Sequence, residues 1–195
     1  MRVSRGANIG ALFAAVLPER VCAFVALDSL IPVPTDETAV STLRAFLNDT
    51  RAQINRPPRT FATRAEYIER RVAQGNSRKV SEALADRALE DGHDGYRMRG
   101  DPRLFASSAV KLTQTDVESV LRSIQCPVLN VWAIAGIRSR LPRFDDLVRR
   151  CAYLIPNYET LELAGDHHFH LDPTIAAQIA SAILVFLDRH RVGAL

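Results

Sequence analysis

The stretch that decides the fold opens the chain and reads Met1-Arg-Val-Ser-Arg-Gly-Ala-Asn-Ile-Gly10. Ser4 is followed by Gly6 and then by a small, apolar, helix-compatible run that extends to Val16. This pattern is typical of a serine on a sharp turn between a strand and a helix, because a small residue two positions on lets the helix pass close to the strand. We therefore predict a short strand before Ser4 and a helix after it, which Pro18 stops.

Further strands are indicated by two continuous apolar runs, residues 21–27 and 126–133. Continuous apolarity is typical of strands that are covered on both faces, as in a parallel α/β sheet. A third run, residues 158–163, alternates as a half-exposed strand does. Asp28 directly follows the first run, and Gly165-Asp-His167 follows the third. Because catalytic groups gather at the carboxyl ends of parallel strands, these polar residues are candidate site residues.

The segment between the first two buried strands has a different character. It contains amphipathic helical patterns and no convincing strand, and its first helix has an apolar stripe made of Val40, Leu43, Leu47 and Ile54. Thr63 with Glu66 indicates a capping box for a second helix, and Gly92 indicates the end of a third. We predict an α/β core made of residues 1–30 and 109–195, with an inserted helical cap made of residues 31–108.

Composition excludes several classes of protein. No apolar run approaches the roughly 20 residues that a transmembrane helix needs, and a signal peptide at residues 6–17 is disfavoured because Asn8 interrupts the run. The net charge of +3 comes from scattered arginines, whereas a nucleic-acid footprint needs clustered basic residues. Three cysteines without metal-ligand spacing predict reduced thiols and a cytoplasmic location.

Nucleophilic catalysis by a hydroxyl requires a base and an acid that orients the base. Ser4, Asp28 and His167 each follow a predicted strand and occur in the chain order of an α/β-hydrolase. The chain resembles that superfamily along most of its length, and the resemblance is carried by Ser4-Arg-Gly6, Leu27-Asp28, the helical insertion, Gln125-Cys-Pro-Val-Leu129 and Gly165-Asp-His167. It is most similar to serine hydrolase-like proteins, whose sequences run Ser-x-Gly-x-Asn-Ile-Gly and then Pro-Glu, as Ser4 to Gly10 and Pro18-Glu19 do here.

The resemblance implies a role for each of these residues. Ser4 would be the nucleophile, the backbone N–H of Arg5 one oxyanion donor, and His167 the general base. The implied function is a serine hydrolase of carboxylic esters or related acyl substrates, acting through an acyl-enzyme and without a cofactor. The cap would supply an acyl or alcohol pocket. Its candidate lining residues, which also fit a role in the cap's own core, are Leu43, Phe46, Tyr67 and Phe105.

The acid of this triad has more than one candidate. The family often places it after the strand at residues 128–132, but Ala135 occupies that position here. We favour Asp28, since some members of the superfamily take their acid from the earlier strand. Asp145 and Asp146 stay open as alternatives inside a predicted helix.

The histidine cluster has two other interpretations. His167, His168 and His170 could ligate a metal, but a zinc site takes three or four ligands, usually from more than one element, and the chain has no helical His-Glu-x-x-His motif. We therefore expect no metal. A purely structural role for these histidines stays open.

Three departures separate the chain from the family pattern. Arg2 stands where the Gly-x-Ser-x-Gly pattern has a small residue, the sequence lacks the family's earlier strands with their second oxyanion donor, and the strand before Ser4 would be an exposed edge. We therefore predict that Met1 is an internal start and that the chain is truncated at its N-terminus. The alternative function is an inactive fragment that binds a partner, or associates with itself, through this edge. Epoxide and haloalkane hydrolases are disfavoured because they use an aspartate where Ser4 stands.

Overall fold

The structure is a computed structural model and describes residues 1–141 and 143–191 of the chain. The chain forms two compact units, one made of residues 1–34 and 112–195 and the other of residues 35–111. In chain order the strands are β1 (Arg2–Val3), β2 (Phe24–Leu27), β3 (Thr60–Phe61), β4 (Leu89–Gly92), β5 (Gly95–Met98), β6 (Val128–Ala135) and β7 (Tyr158–Asp166). The helices are α1 (Arg5–Val16), α2 (Ala39–Ile54), α3 (Arg64–Ala73), α4 (Arg78–Ala88), α5 (Gln114–Ser123), α6 (Ile137–Arg140), α7 (Arg143–Leu154) and α8 (Pro173–Arg189).

The first unit is built on a four-stranded parallel sheet in the order β1-β2-β6-β7. Val25 of β2 lies opposite Leu129 of β6, and Val131 of β6 lies opposite Leu161 of β7. The predicted parallel α/β sheet is therefore confirmed. Because all four strands run in the same direction, their carboxyl ends meet at one edge of the sheet.

One face of the sheet is covered by helices that approach it closely. Three alanines of α1 are at most 1% exposed, namely Ala7, Ala11 and Ala14. They join the largest apolar cluster together with residues from α5, α7 and the sheet, including Val117, Leu121, Leu147, Cys151 and Trp132. The small side chains that the sequence places on α1 thus allow a short distance between helix and strand, as predicted.

The opposite face is covered by α8. Ile179 and Phe186 of this helix are buried against Val25, Leu129 and Phe169. Ile175 and Ile183 pack against this cluster while partly exposed. Helices on both faces of the sheet explain why β2 and β6 are apolar throughout.

The second unit corrects the prediction that residues 31–108 contain only helices. Leu89–Gly92, where Gly92 was expected to end a helix, forms β4, and Gly95–Met98 forms β5. With β3 they make an antiparallel sheet in the order β3-β5-β4. The turn between β4 and β5 needs glycine at Gly95, where φ is +123° and a Cβ atom would lie 2.5 Å from the Phe61 carbonyl oxygen.

The core of this unit forms around Phe61, Tyr67, Ile68, Ala85 and Leu89. The stripe predicted on α2 does not join it. Its members Val40, Leu43, Leu47 and Ile54 are between 48% and 65% exposed. The start of α3 agrees with the predicted capping box, since the Thr63 hydroxyl accepts the Glu66 N–H at 3.2 Å, although the Glu66 carboxylate accepts from Ala62 rather than from Thr63.

The helices and strands leave two sequence-based predictions untested. The side chain of Arg2, predicted to crowd the turn before Ser4, lies outside the described part of the structure. The role of the second unit as a cap stays a prediction. Among residues 1–141 and 143–191, no helix is both long and apolar enough to cross a bilayer.

Candidate active site

Ser4 occupies the turn between β1 and α1. Its backbone has a φ of 51° and a ψ of −128°, a conformation that residues other than glycine rarely adopt. The Ser4 N–H donates to the Leu27 carbonyl at 3.4 Å, and the Ser4 carbonyl accepts the Ala7 N–H at 2.8 Å. Bonds to β2 on one side and to α1 on the other hold the turn in this conformation, which by itself costs on the order of 1–3 kcal/mol.

Arg5 is the first residue of α1. Its backbone N–H has no carbonyl one turn earlier in the helix to bind, because the first four N–H groups of any helix lack such a partner. The N-terminal end of a helix also carries a partial positive charge, so it favours an oxygen on which negative charge develops.

Asp28 lies at the end of β2 and is 0% exposed. Its backbone φ is 46°, and its N–H donates to the Val131 carbonyl at 2.8 Å. The carboxylate accepts hydrogen bonds from two backbone groups, the Ala133 N–H at 3.1 Å on Oδ1 and the Ile137 N–H at 2.8 Å on Oδ2. A buried carboxylate requires such donors, because water cannot solvate it there.

His167 follows β7 and completes the carboxylate's set of partners. Its Nδ1 atom lies 2.7 Å from Oδ2 of Asp28, and its side chain is 18% exposed. When Nδ1 carries the proton and donates it to the carboxylate, Nε2 is left unprotonated and can act as a base. Gly165 forms the turn before His167 with a φ of +120°. A Cβ atom at this position would clash with Cβ of Phe169, at a distance of 2.6 Å.

The structure therefore brings together residues that the sequence separates widely. Asp28 and His167 are in contact although 139 positions of sequence separate them. Ser4 lies at the end of β1, the strand next to β2, and its N–H donates to the carbonyl of Leu27, the residue before Asp28. All three residues stand at the carboxyl edge of the parallel sheet, as the strand pattern predicts.

The alternative acids are engaged elsewhere. Asp145 forms an ion pair of 3.0 Å with Arg138, and Asp146 forms one with Arg149. Arg138 also pairs with Glu162 at 2.5 Å. Of the carboxylates considered from sequence, Asp28 is the one that contacts His167.

Sequence reasoning missed the residues that surround Asp28. Ala133 and Ile137 contribute through their backbone, which no side-chain pattern reveals. Gly136 directly follows β6, and an added Cβ atom there would lie 2.5 Å from Cγ of Asp28 and closer still to both carboxylate oxygens. The only signal in the sequence was a glycine directly after a buried strand.

His168 and His170 lie close to His167. The rings of His167 and His168 are 4.9 Å apart, and those of His168 and His170 are 6.1 Å apart. Burial lowers the pKa of His170, and the nearby His167 lowers it further. In the described part of the chain no group of three or more His, Cys, Asp or Glu side chains is arranged to hold a metal ion.

The cysteines also show no sign of chemistry. Cys22, Cys126 and Cys151 are free thiols, as predicted, and the last two are buried. Burial raises the pKa of Cys151 to about 12. A thiol in that state is not a nucleophile near neutral pH.

The second unit contains a cavity of about 200 Å³. Its walls combine arginines with apolar groups, including Pro57, Pro58, Met98 and Phe105. Of the four lining residues predicted for an acyl pocket, Phe105 contributes to this cavity. Tyr67 belongs to the core instead, where its ring packs edge-on against Phe61 at 5.3 Å.

Comparisons with known proteins identify chains similar in sequence or in fold. A serine hydrolase-like protein from Dictyostelium discoideum is 27% identical over 184 residues, which are 89% of this chain and 51% of the relative. A hypothetical protein from Pseudomonas aeruginosa, whose crystal structure is known, is 33% identical to this chain and superposes with a TM-score of 0.80. The match covers 93% of this chain and 64% of the Pseudomonas aeruginosa chain. The thioesterase domain from the curacin biosynthetic pathway is 23% identical with a TM-score of 0.67, over 93% of this chain and 63% of that domain.

No family model matches the chain. The parallel sheet, its covering helices and these structural neighbours show an α/β-hydrolase fold. Together with the serine hydrolase-like relatives they support a relationship to the α/β-hydrolase superfamily. Within that superfamily its similarity is to the serine hydrolase-like proteins. The chain spans about half the length of the curated relatives that it matches.

Proposed function

We propose that the chain is a serine hydrolase of carboxylic esters or related acyl compounds, with Ser4 as nucleophile, His167 as general base and Asp28 as acid. The observation that carries this proposal is the 2.7 Å contact between His167 and the buried Asp28 carboxylate. That pair stands at the sheet edge where Ser4 occupies a strained turn between a strand and a helix.

The first half of the reaction transfers the acyl group to the enzyme. His167 donates its Nδ1–H to Asp28, and its Nε2 atom accepts the proton of the Ser4 hydroxyl as Oγ attacks the acyl carbon. The carbonyl electron pair moves to oxygen and then re-forms the double bond, so that the bond to the alcohol oxygen breaks. His167 protonates the departing alcohol, and the acyl group remains on Ser4.

The second half returns the enzyme to its starting state. Water attacks the acyl-enzyme while His167 accepts one of its protons. The bond between the acyl carbon and Ser4 Oγ breaks, the carboxylic acid leaves, and His167 returns the proton to Ser4. The sum of both halves is one ester and one water converted to one acid and one alcohol.

The surroundings of the His167 imidazolium and of the oxyanion suit this sequence of steps. A buried carboxylate beside His167 stabilises the imidazolium that forms while the proton is in transit. The Arg5 N–H at the start of α1 is the group we assign to the developing oxyanion, a contribution that in other hydrolases amounts to about 10²–10³-fold in rate. We assign acyl selectivity to the predicted cap, whose cavity has an apolar wall that includes Met98 and Phe105.

Labelling with a fluorophosphonate probe tests the proposal. The Ser4 oxygen displaces fluoride and forms a bond to phosphorus, so only an activated serine reacts quickly. We expect the wild-type chain to be labelled, Ser4→Ala to be unlabelled, and His167→Ala and Asp28→Asn to react about 10⁴-fold more slowly, as expected for loss of the base or of its orienting acid.

Asp145→Asn is the matched control, because Asp145 pairs with Arg138 rather than with His167. We expect this variant to be labelled at the wild-type rate. A folded wild-type chain that does not react, or labelling that survives in Ser4→Ala, would contradict the proposal.

A second candidate function is an interaction module that does not catalyse a reaction. The observation that favours it is the exposed side of β1 and α1. Among the described strands β1 pairs with β2 alone, and Ile9, Phe13 and Val16 of α1 are 62%, 47% and 72% exposed. Such a surface suits self-association through the sheet edge.

A further inference from the structure

The Asp28 carboxylate is held mainly by the strand beside its own. Its three polar partners are the N–H groups of Ala133 and Ile137 and the Nδ1 atom of His167. Two of them belong to the segment in which β6 ends and α6 begins. The carboxylate thus lies within a short backbone turn, and the identity of the residues in that turn decides whether it fits.

Gly136 is the residue of this turn at which a side chain would collide with the carboxylate. A Cβ atom at position 136 would lie 2.5 Å from Cγ of Asp28 and even nearer to both oxygens. The Gly136 N–H donates to the Ala133 carbonyl at 2.9 Å, which closes the turn. Its φ of −86° lies outside the left-handed region that favours glycine, so the close approach of the carboxylate is the feature that requires glycine here.

We propose that Gly136 is a positioning residue that lets the triad acid come from β2. The absence of a side chain at position 136 leaves the space that the Asp28 carboxylate occupies, and the N–H groups on either side of the turn hold the carboxylate against His167. The residue before it is Ala135, in the position where the family often has the acid. The turn therefore lacks a carboxylate of its own and receives one from the neighbouring strand.

This role rests on the proposed function, because it assumes that Asp28 is the acid of the triad. It makes a claim that the proposed function does not make. If Gly136 acts only by leaving space for the carboxylate, a methyl group at position 136 harms the site when Asp28 is present and has little effect when the carboxylate is removed. A glycine needed for folding in general would show no such dependence.

The experiment is a double-mutant cycle made of wild type, Gly136→Ala, Asp28→Ala and the double variant, with thermal unfolding and fluorophosphonate labelling as readouts. The third readout is the downfield NMR signal of the His167 Nδ1–H, which reports its hydrogen bond to Asp28. Gly92→Ala is the control, because a Cβ atom there would meet its nearest neighbour at an ordinary 3.4 Å.

We expect Gly136→Ala to lower the melting temperature, to remove the downfield signal, and to slow labelling by about 10²-fold, as expected for a catalytic group displaced by about 1 Å. In the Asp28→Ala background the same change should have little further effect on the melting temperature. If Gly136→Ala alone does not fold, recovery of folding in the double variant supports the same conclusion.

The proposal is overturned if Gly136→Ala keeps the signal and the wild-type labelling rate. It is also overturned if the losses of stability are additive, or if the double variant remains unfolded. A wild-type chain that is not labelled would contradict the proposed hydrolase instead. The NMR signal and the stability cycle would still decide whether Gly136 positions Asp28.

Discussion

The Ser29 hydroxyl donates a hydrogen bond of 3.0 Å to Oδ1 of Asn8. Asn8 lies on the first turn of α1, just beyond Ser4, and Ser29 is the residue after Asp28. This bond therefore ties the helix that follows the proposed nucleophile to the strand end that carries the proposed acid. It gives a physical role to the Asn in the Asn-Ile-Gly motif by which the sequence resembles serine hydrolase-like proteins.

Removal of this bond should weaken both the fold and the site. Asn8→Ala leaves the Ser29 hydroxyl, which is 4% exposed, without its acceptor, and an unsatisfied buried group costs about 1–3 kcal/mol. We expect the free energy of unfolding in urea to fall by that amount and labelling of Ser4 to slow. The double variant Asn8→Ala/Ser29→Ala should regain part of the stability. Asn48→Ala, at an exposed position of α2, should change neither quantity, and equal losses at both asparagines would contradict the assignment.

Burial of Cys151 predicts a loss of stability in alkali. Burial raises the pKa of this thiol from 9.0 to about 12, so the unfolded chain releases the proton at a lower pH than the folded chain does. The stabilisation is fully present below pH 9 and is lost as the pH rises toward 12. Tyr158 acts in the same direction, because burial also raises its pKa.

Urea unfolding between pH 8 and about 12 tests this expectation, since the free energy of unfolding falls with pH in that range. The slope should be smaller in Cys151→Ala than in wild type. Cys22→Ala, which changes an exposed thiol, should keep the wild-type slope. A slope that does not respond to Cys151→Ala would show that other groups cause the alkaline unfolding.

The exposed stripe on α1 predicts self-association of the chain. Phe13 is 47% exposed and lies between Ile9 and Val16 on the same helix. Light scattering after size-exclusion chromatography should detect association that increases with concentration, and Phe13→Ser should weaken it by at least severalfold. Tyr153→Ser is the control, because Tyr153 is 87% exposed on a different helix, α7. Equal effects of both changes would indicate non-specific aggregation.

The cavity of the second unit predicts an effect of Phe105 on substrate preference. Phe105 is part of the cavity wall, so Phe105→Ala should enlarge the apolar space. We expect the ratio of kcat/KM between long-chain and short-chain p-nitrophenyl esters to change by about 10-fold or more, since a single methylene in an apolar pocket is worth that much. The neighbouring Leu104, which is 56% exposed and does not line the cavity, provides the control variant Leu104→Ala. An unchanged ratio in Phe105→Ala would separate this cavity from the acyl site.

The helical insertion illustrates the limits of prediction from sequence. The capped start of α3 agrees with the signal at Thr63, because a cap depends on residues only a few positions apart. The local sequence of Leu89–Gly92 is typical of the end of a helix. The segment forms a strand because its backbone pairs with that of β5. The apolar stripe of α2 is exposed, since periodicity indicates that a face is apolar but not that another element covers it.

The sequence alone determined the parallel α/β sheet, the slim helix after Ser4, and the polar residues Asp28 and His167 at strand ends. These features depend on local patterns of apolar, small and turn-forming residues. Only the tertiary structure decided which carboxylate meets His167, because that contact depends on how β2, β6 and β7 lie side by side and on the space left at Gly136. A backbone turn that accepts a side chain from another strand has no local signature, and 139 positions separate the two residues that it brings together.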